Sequence, residues 1–438
     1  MQMPRFNTSR RAFLAHAAAV AGLAGCDTGR EANAGIGSPG AFRSLADLAR
    51  WRGPGEGVAE PAPLLQNVSL SGPPLAPLRR GLAALETNQG RRPPVSIIQL
   101  GDSHTASPVL VPRLRALFQE RYGGLGPGRL PPGSGPRFWR SSLVQVEQEG
   151  QWTGATALRA GTPGPFGIAA YRLRGEGAGS RIVLRSTERE GFDSFRLEVM
   201  LRPGAGSFRL LVDGEAGPQL PTHRPEPLYR PLEYTPPRRH HEVALELLGD
   251  GPVDFLGWGM ERRGAGVLVE GFGINGATVD MLSNMDPSML RTALVERNPA
   301  LIILAFGTNE AVSASITEAE YAAVFGERVR MLKRYAPGAG ILVMGAPDAG
   351  RRTRAGGCDG WAPLPGLEAV RAAQRRVARV EGAEYWDWSA ITAGNCGFHN
   401  ATRGAAPLMA ADHIHFTADG YRLTAERLFA YLTGARAA

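Results

Sequence analysis

Two patterns of apolar and polar positions divide the chain. Residues 95–100, VSIIQL, are an almost continuous apolar run, and residues 109–123 then repeat apolar side chains at helical spacing. After residue 263 the same strand-then-helix order returns in three further pairs of segments: 300–307 with 321–335, 340–347 with 367–382, and 383–388 with 420–434. This alternation predicts an α/β domain with a parallel sheet and helices on both faces. Residues 75–89 are predicted to be one more amphipathic helix packed on this domain.

Between these two parts of the chain the period of the pattern changes from 3.6 to 2. Apolar residues alternate with polar or charged ones in SRIVLRS, SFRLEVMLR, SFRLLVDG and HEVALELLG, and turn-rich segments separate them. Such segments predict antiparallel strands with one buried face, arranged as a β-sandwich or jelly roll. We therefore predict an α/β domain formed by residues 73–136 and 263–438, interrupted by an inserted antiparallel β domain at residues 137–262.

The first 26 residues carry the pattern of an export signal. SRRAFLA, which begins at Ser9, resembles a twin-arginine export motif, and the apolar HAAAVAGLAG that follows is too short to span a bilayer in the mature protein. LAGC resembles a bacterial lipobox, which implies that Cys26 is lipidated and becomes the new N-terminus; the alternative is a chance cysteine behind an ordinary signal peptide. The resemblance implies a lipoprotein anchored on the periplasmic side of a bacterial envelope. Residues 27–72, rich in Gly, Pro, Ala and Ser with a weak helical patch at FRSLADLARW, are predicted to be a flexible tether from the membrane.

Composition and cysteine content narrow the possible partners. The 438 residues are 43% hydrophobic and carry a formal charge of +8. Arginines are scattered among acidic residues and no zinc-finger or RNA-binding motif occurs, so we expect no nucleic-acid partner. In an oxidising compartment Cys358 and Cys396, the cysteines other than Cys26, favour a disulfide. Neither belongs to a Cys-x-x-Cys or His-rich cluster, so metal ligation is less favoured.

The stretch IIQLGDSHTAS, residues 97–107, places Ser103 at a corner between the first strand and its helix. At such a corner a serine is either a nucleophile beside the N–H groups of a helix N-terminus, or only a helix N-cap, a position that Asp and Ser favour after any strand. A nucleophile would need a general base and further oxyanion donors from other loops.

Later loops at the same edge of the sheet offer those groups. Asp412 and His415 are three positions apart, so the carboxylate can hold Nδ1–H of the ring while Nε2 faces Ser103 as a general base. Asn309 can donate a side-chain N–H, and Gly276 and Ser103 can donate backbone N–H groups, to the oxyanion formed on attack.

GDSH, the glycine of INGAT, GTNE and DHIH stand in the order and approximate spacing of the four blocks of SGNH hydrolases, also called the GDSL-like family. The resemblance implies an SGNH-type, flavodoxin-like parallel sheet, and it implies that no metal or organic cofactor is needed. By the same resemblance, Ser103, Asp412 and His415 are the catalytic triad. The oxyanion donors would be Ser103, Gly276 and Asn309.

Two residues depart from the pattern of these blocks. The third block commonly ends in Asp and here ends in Glu310, which should matter little if the carboxylate only caps or positions the loop. His413 lies beside His415 but not at the three-residue spacing from Asp412, so we expect it at the rim of the cleft.

The domain layout carries a narrower resemblance. A β domain placed between the Ser103 block and the Gly276 block is similar to that of peptidoglycan O-acetylesterases of Gram-negative envelopes, whose inserted domain resembles a carbohydrate-binding module. This implies a carbohydrate esterase that removes O-acetyl groups from an envelope or secreted polysaccharide through an acyl-serine intermediate. The alternatives are an O-acetyltransferase with the same triad, in which a sugar hydroxyl replaces water, and a less specific small-acyl esterase. A binding protein with an inactive site is disfavoured because every catalytic position is filled.

Overall fold

The structure is a computed structural model that describes residues 42–52, 72–87, 93–137, 139–354 and 357–434. Its α-helices are α1 (Ala76–Glu86), α2 (Leu110–Tyr122), α3 (Pro287–Arg297), α4 (Glu318–Tyr335), α5 (Leu367–Glu381), α6 (Gly397–Asn400) and α7 (Ala418–Thr433). Its strands are β1 (Val95–Gly101), β2 (Gly128–Leu130), β3 (Val144–Thr156), β4 (Tyr171–Ser186), β5 (Ser194–Leu201), β6 (Ser207–Val212), β7 (Glu215–Pro221), β8 (Leu228–Tyr234), β9 (Glu242–Leu247), β10 (Val253–Glu261), β11 (Val267–Gly273), β12 (Leu301–Ala305), β13 (Gly340–Met344), β14 (Gly350–Arg352), β15 (Trp361–Pro363) and β16 (Glu384–Trp386).

A five-stranded parallel sheet forms the α/β domain, with its strands in the order β11-β1-β12-β13-β16. Counted along the chain, this is the flavodoxin-like order, second-first-third-fourth-fifth. Successive residues of a strand point to opposite faces, so Ile97 packs with α1, α2 and α7, and Ile98 with α3, α4 and α5. With both faces covered, every residue of β1 is buried. The predicted α/β fold class is confirmed.

The β insertion leaves this domain after α2 and returns at β11. It is one curled antiparallel sheet in which β7, β6, β9, β4, β10, β5 and β8 are neighbours in that order, with β3 added to β4. β2 also joins it, pairing Leu130 with Trp258 of β10. The antiparallel sheet therefore includes β2, although the sequence predicts residues 73–136 as part of the α/β domain. The difference arises because the chain pairs with β10 before it reaches residue 137.

Part of the predicted tether is packed structure. Phe42 bridges to Tyr234 in β8, and the 3₁₀ helix Ala46–Arg52 follows it. Leu45, Leu48 and Trp51 are buried in the core of the insertion, where the Trp51 ring meets Phe208 edge-on. The prediction of a flexible tether is thus wrong for residues 42–52, because their apolar side chains, spaced every third residue, pack into the core of the insertion. The predicted signal peptide, Cys26 and most of the tether lie outside the described residues.

Ion pairs join the insertion to the α/β domain. Arg196 of β5 lies 2.6 Å from Glu296 of α3, and Arg297, the next residue of α3, lies 2.6 Å from Glu261 at the end of β10. The two arginine side chains are 9% and 12% exposed, so each would lose a carboxylate partner in a mostly buried position if the insertion separated from α3. The base of the insertion is therefore held in a fixed position on α3.

Among the described residues, no helix is both long and apolar enough to cross a membrane.

Candidate active site

Ser103 lies just beyond the carboxyl end of β1, the strand between β11 and β12. The strand ends at Gly101, where a Cβ atom would stand 2.6 Å from the carbonyl oxygen of Ala305, so only glycine lets the chain turn this close to β12. The next helix, α2, begins only at Leu110, after a turn that Asp102 stabilises by accepting the His104 N–H at 2.9 Å. Ser103 thus occupies neither of the two positions that the strand–helix pattern indicates. It is not the N-cap of α2, and it does not lie beside the N-terminus of α2.

The structure brings the three predicted triad residues together. Ser103 Oγ lies 2.8 Å from His415 Nε2, and His415 Nδ1 lies 2.7 Å from Asp412 Oδ2. The other carboxylate oxygen, Asp412 Oδ1, accepts the backbone N–H groups of Ile414 and His415. Because Oδ1 is bound by the loop itself, Oδ2 is aimed at the imidazole ring. This chain of hydrogen bonds can transfer the Ser103 proton to His415.

The charges at this site favour an ionised Asp412 and a basic His415. Partial burial alone would raise the pKa of the Asp412 carboxyl, but the hydrogen bonds from the His415 ring and from the two loop amides hold it well below its usual range. In turn, the hydrogen bond to Asp412 raises the pKa of His415 above its ordinary value, against the opposing effect of burial. A more basic ring is a better acceptor for the serine proton.

Two of the three predicted oxyanion donors, Gly276 and Asn309, lie in the loops that follow the strands on either side of β1. Gly276 follows β11 and has φ +82°, a left-handed conformation that glycine adopts without strain. Asn309 follows β12, and its Nδ2 donates to the carbonyl oxygen of Ala277 at 2.9 Å. An amide has two N–H groups, so one remains for a ligand after this bond is made. The loops therefore carry suitable donors beside the nucleophile.

Two histidines near the triad do not serve as further bases. His104 is buried, with Nδ1 3.0 Å from the Tyr421 hydroxyl, and burial lowers its pKa to about 3, helped by the nearby His415. His413 was expected at the rim, but it is only 5% exposed: its ring stacks on Trp361 with centroids 3.5 Å apart. The rim prediction is wrong because Trp361 covers the His413 ring and His399 Nδ1 lies 2.9 Å from His413 Nε2.

A disulfide supports the loop that carries Asp412 and His415. Cys358 and Cys396 are bonded with their Cα atoms 5.6 Å apart, which ties the β14–β15 hairpin to α6. The same hairpin contacts the triad loop through the Gly350 N–H, which donates to the carbonyl oxygen of His413 at 2.8 Å. Loop and hairpin therefore support each other. Within the described part of the chain, no three His, Cys, Asp or Glu residues are grouped as a metal ion would require.

Buried carboxyl groups behind the site were not identified as such from the sequence. Asp102 is 1% exposed, and burial raises its pKa to about 7. Glu310 is 9% exposed and accepts hydrogen bonds from two other segments of the chain. Their positions within the motif blocks can be read from the sequence, but their partners cannot, because several of these partners are remote in the chain.

Comparisons with known proteins agree with this geometry. Residues 247–423 match the family model described as GDSL-like lipase/acylhydrolase. A solved structure of a peptidoglycan O-acetylesterase is 26% identical, with a TM-score of 0.69, and the match covers 84% of this chain and 98% of that chain.

Other solved structures are more distant. A family two carbohydrate esterase from Clostridium thermocellum in complex with cellohexaose is 12% identical with a TM-score of 0.28, over 66% of this chain and 98% of that one. An acetyl xylan esterase is 14% identical with a TM-score of 0.29, over 38% and 81%. These two likenesses are too weak to support an argument. No curated protein sequence matches the chain.

Proposed function

We propose that this chain, in which residues 247–423 match the GDSL-like lipase/acylhydrolase family, is a serine esterase that removes O-acetyl groups from an envelope or secreted polysaccharide such as peptidoglycan. The observation that carries the proposal is the hydrogen-bonded series Ser103–His415–Asp412 at the carboxyl end of the parallel sheet. The family match and the peptidoglycan O-acetylesterase neighbour support acetyl-ester hydrolysis.

The first half of the reaction follows from the positions of these groups. His415 Nε2 takes the proton of Ser103 Oγ as the oxygen attacks the acetyl carbonyl carbon. The carbonyl oxygen gains the negative charge, which the N–H groups of Ser103, Gly276 and Asn309 stabilise. When the ester bond breaks, His415 returns the proton to the departing sugar oxygen and the acetyl group stays on Ser103.

The second half repeats these steps with water. His415 removes a proton from the water as it attacks the acetyl carbonyl, and acetate leaves as Ser103 Oγ regains its proton. Throughout, Asp412 keeps the ring in the tautomer that presents a free Nε2 and stabilises the imidazolium that forms.

Solvent exposure favours hydrolysis over acetyl transfer. The side chain of His415 is 39% exposed and that of Asp412 is 49% exposed, so water has direct access to the general base. A transferase must keep water from its acyl-enzyme. An open site also suits a polymer, which extends beyond the reacting group in both directions.

The insertion supports a polymeric substrate through its position. Trp139, Arg140 and Ser141, at its start, share a pocket with Thr105 and Ser107 in the turn after the nucleophile. Side chains of the insertion thus lie close to the candidate cleft, where they can contact sugar units beyond the acetylated one and help to orient the ester.

We further propose that the protein works at the periplasmic side of the envelope, anchored through lipidated Cys26 after twin-arginine export. This part of the proposal rests on the motifs of the first 26 residues. Metabolic labelling with a radioactive fatty acid tests it: the wild-type chain should be labelled and Cys26→Ala should not. Equal labelling of both would refute the anchor.

One assay separates the candidate activities. The protein is incubated with 4-nitrophenyl acetate, O-acetylated peptidoglycan and acetylated exopolysaccharides, with a non-acetylated glycan added as acceptor, and both free acetate and acetylated acceptor are measured. We expect free acetate from a polysaccharide. Acetylated acceptor as the main product would identify a transferase, and activity confined to 4-nitrophenyl acetate would identify a general small-acyl esterase.

A further inference from the structure

Glu310 links three segments behind the candidate oxyanion donors. Its Oε1 accepts the backbone N–H of Val279 at 2.8 Å and the hydroxyl of Tyr321 at 3.1 Å. Val279 begins the 3₁₀ helix Val279–Ser283, which follows the Gly276 loop, and Tyr321 is a buried residue of α4. Glu310 itself directly follows Asn309. One carboxyl oxygen therefore connects both donor-bearing loops to a helix of the core.

The loop at Gly276 is anchored in the core by the buried side chains of Ala277 and Val279. A Cβ atom built on Gly276 itself would meet no atom within 4 Å, so no neighbouring side chain packs against that side of Gly276. Two hydrogen bonds also join this loop to the turn after β12. They are the Val279 N–H to Glu310 and the Asn309 amide to the Ala277 carbonyl. The position of Gly276 therefore depends in part on the turn that also carries Asn309.

We infer that Glu310 is a positioning residue that fixes Gly276 and Asn309 relative to each other as oxyanion donors, with Tyr321 holding the Glu310 carboxyl in place. The inference rests on the proposed esterase function. An Asp at this position, the common end of the third block, would be one carbon–carbon bond shorter, about 1.5 Å. It could not reach both Val279 and Tyr321 unless the loops moved. The two hydrogen bonds of this arrangement therefore require the longer Glu side chain.

The hydrogen bonds, and not the charge, carry this role. Burial raises the pKa of the Glu310 carboxyl to about 7, against the lowering effect of the hydrogen bond from Val279. Oε1 accepts the same two donors whether the carboxyl is ionised or neutral. Glu310→Gln keeps an acceptor oxygen of the same reach, whereas Glu310→Met has a similar size but no strong acceptor.

The test measures steady-state kinetics on 4-nitrophenyl acetate for these two variants, with active sites counted by burst titration. Misplacing catalytic groups by about 1 Å costs about a hundredfold. We expect Glu310→Met to lower kcat per active site by about ten- to a hundredfold with KM changed less than about threefold. Glu310→Gln should restore most of the lost turnover. Tyr321→Phe, which removes one donor and keeps the ring, should lower kcat by a smaller factor than Glu310→Met.

A double-mutant comparison separates positioning from general destabilisation. If Glu310 acts through the oxyanion donors, Glu310→Met should cost a clearly smaller factor in an Asn309→Ala background than in the wild type. Equal factors in both backgrounds, or an unchanged kcat in Glu310→Met, would overturn the inference. If Glu310→Met does not fold, Glu310→Asp and Tyr321→Phe undergo the same comparison. A wild-type protein without Ser103-dependent esterase activity would instead refute the proposed function.

Discussion

Replacing Asp412 by Asn probes the triad with almost no change in shape. In the native loop Oδ1 accepts two backbone N–H groups and Oδ2 accepts the His415 ring at 2.7 Å. Asn has only one acceptor oxygen. If that oxygen stays with the backbone amides, the NH₂ group faces His415 Nδ1. Two donors cannot face each other, so the ring proton moves to Nε2, and Nε2 can no longer accept the proton of Ser103.

The expected loss is large because it removes the base and not merely a contact. A wrong tautomer in a triad of this kind costs about 10⁴ in kcat, which corresponds to about 5.5 kcal/mol of transition-state stabilisation. The pH profile should also change. Asp412 raises the pKa of His415, and catalysis needs the neutral ring, so wild-type kcat/KM rises with pH through that raised pKa and then levels off. Without the carboxylate the pKa falls, and the acidic limb moves to lower pH.

The assay is kcat/KM for 4-nitrophenyl acetate between about pH 4 and pH 8.5, the window on either side of the ordinary His pKa of about 6.5. Asp419→Asn is a matched control, because Asp419 is an exposed carboxylate that pairs with Arg422 on the surface of α7. The control should behave as wild type. Asp412→Asn with turnover within about tenfold of wild type and an unshifted acidic limb would refute the assigned role of Asp412.

Further predictions concern the oxyanion donors, the disulfide and the insertion. Asn309→Ala should lower kcat by about a hundredfold or more, the usual cost of one oxyanion donor, in the same kinetic assay; a loss below about threefold would contradict that role. Reducing the Cys358–Cys396 disulfide should lower the free energy of unfolding by about 3 to 4 kcal/mol in urea titrations, and an unchanged midpoint would contradict this. Arg140→Ala should reduce acetate release from polysaccharide while sparing 4-nitrophenyl acetate, whereas Arg224→Ala, an exposed arginine between β7 and β8, should affect neither. Equal losses on both substrates for Arg140→Ala would indicate that Arg140 stabilises the structure and does not contact the polysaccharide.

The parts of the fold that the sequence predicted are those with a strong local period. The parallel sheet was predictable from the alternation of apolar runs with amphipathic helices, because strands buried on both faces are apolar throughout. Helix α3 was missed because its apolar residues do not form one clear stripe, although it packs against the core. β3 was missed because most of its residues are exposed or half-buried, so it shows no clean alternation. Its pairing with β4 stabilises it instead.

The candidate site was predictable in its residues but not in its supports. Ser103, Asp412 and His415 stand in motif blocks whose order could be read directly. By contrast, the hydrogen bond between Glu310 and Tyr321 and the stacking of His413 on Trp361 depend on how separate loops pack. Such contacts join side chains from segments that are distant in the sequence, so no local sequence pattern predicts them.

The central claim is that Ser103 carries the acetyl group during hydrolysis of a polysaccharide ester. The most direct measurement is acetate release from O-acetylated peptidoglycan by wild type and Ser103→Ala, together with rapid acid quenching and peptide mass mapping of the wild-type protein. We predict acetate release by the wild type, acetylation of the peptide that contains Ser103 in the quenched samples, and no release by a folded Ser103→Ala protein. Acetate release by Ser103→Ala at close to the wild-type rate would contradict the account.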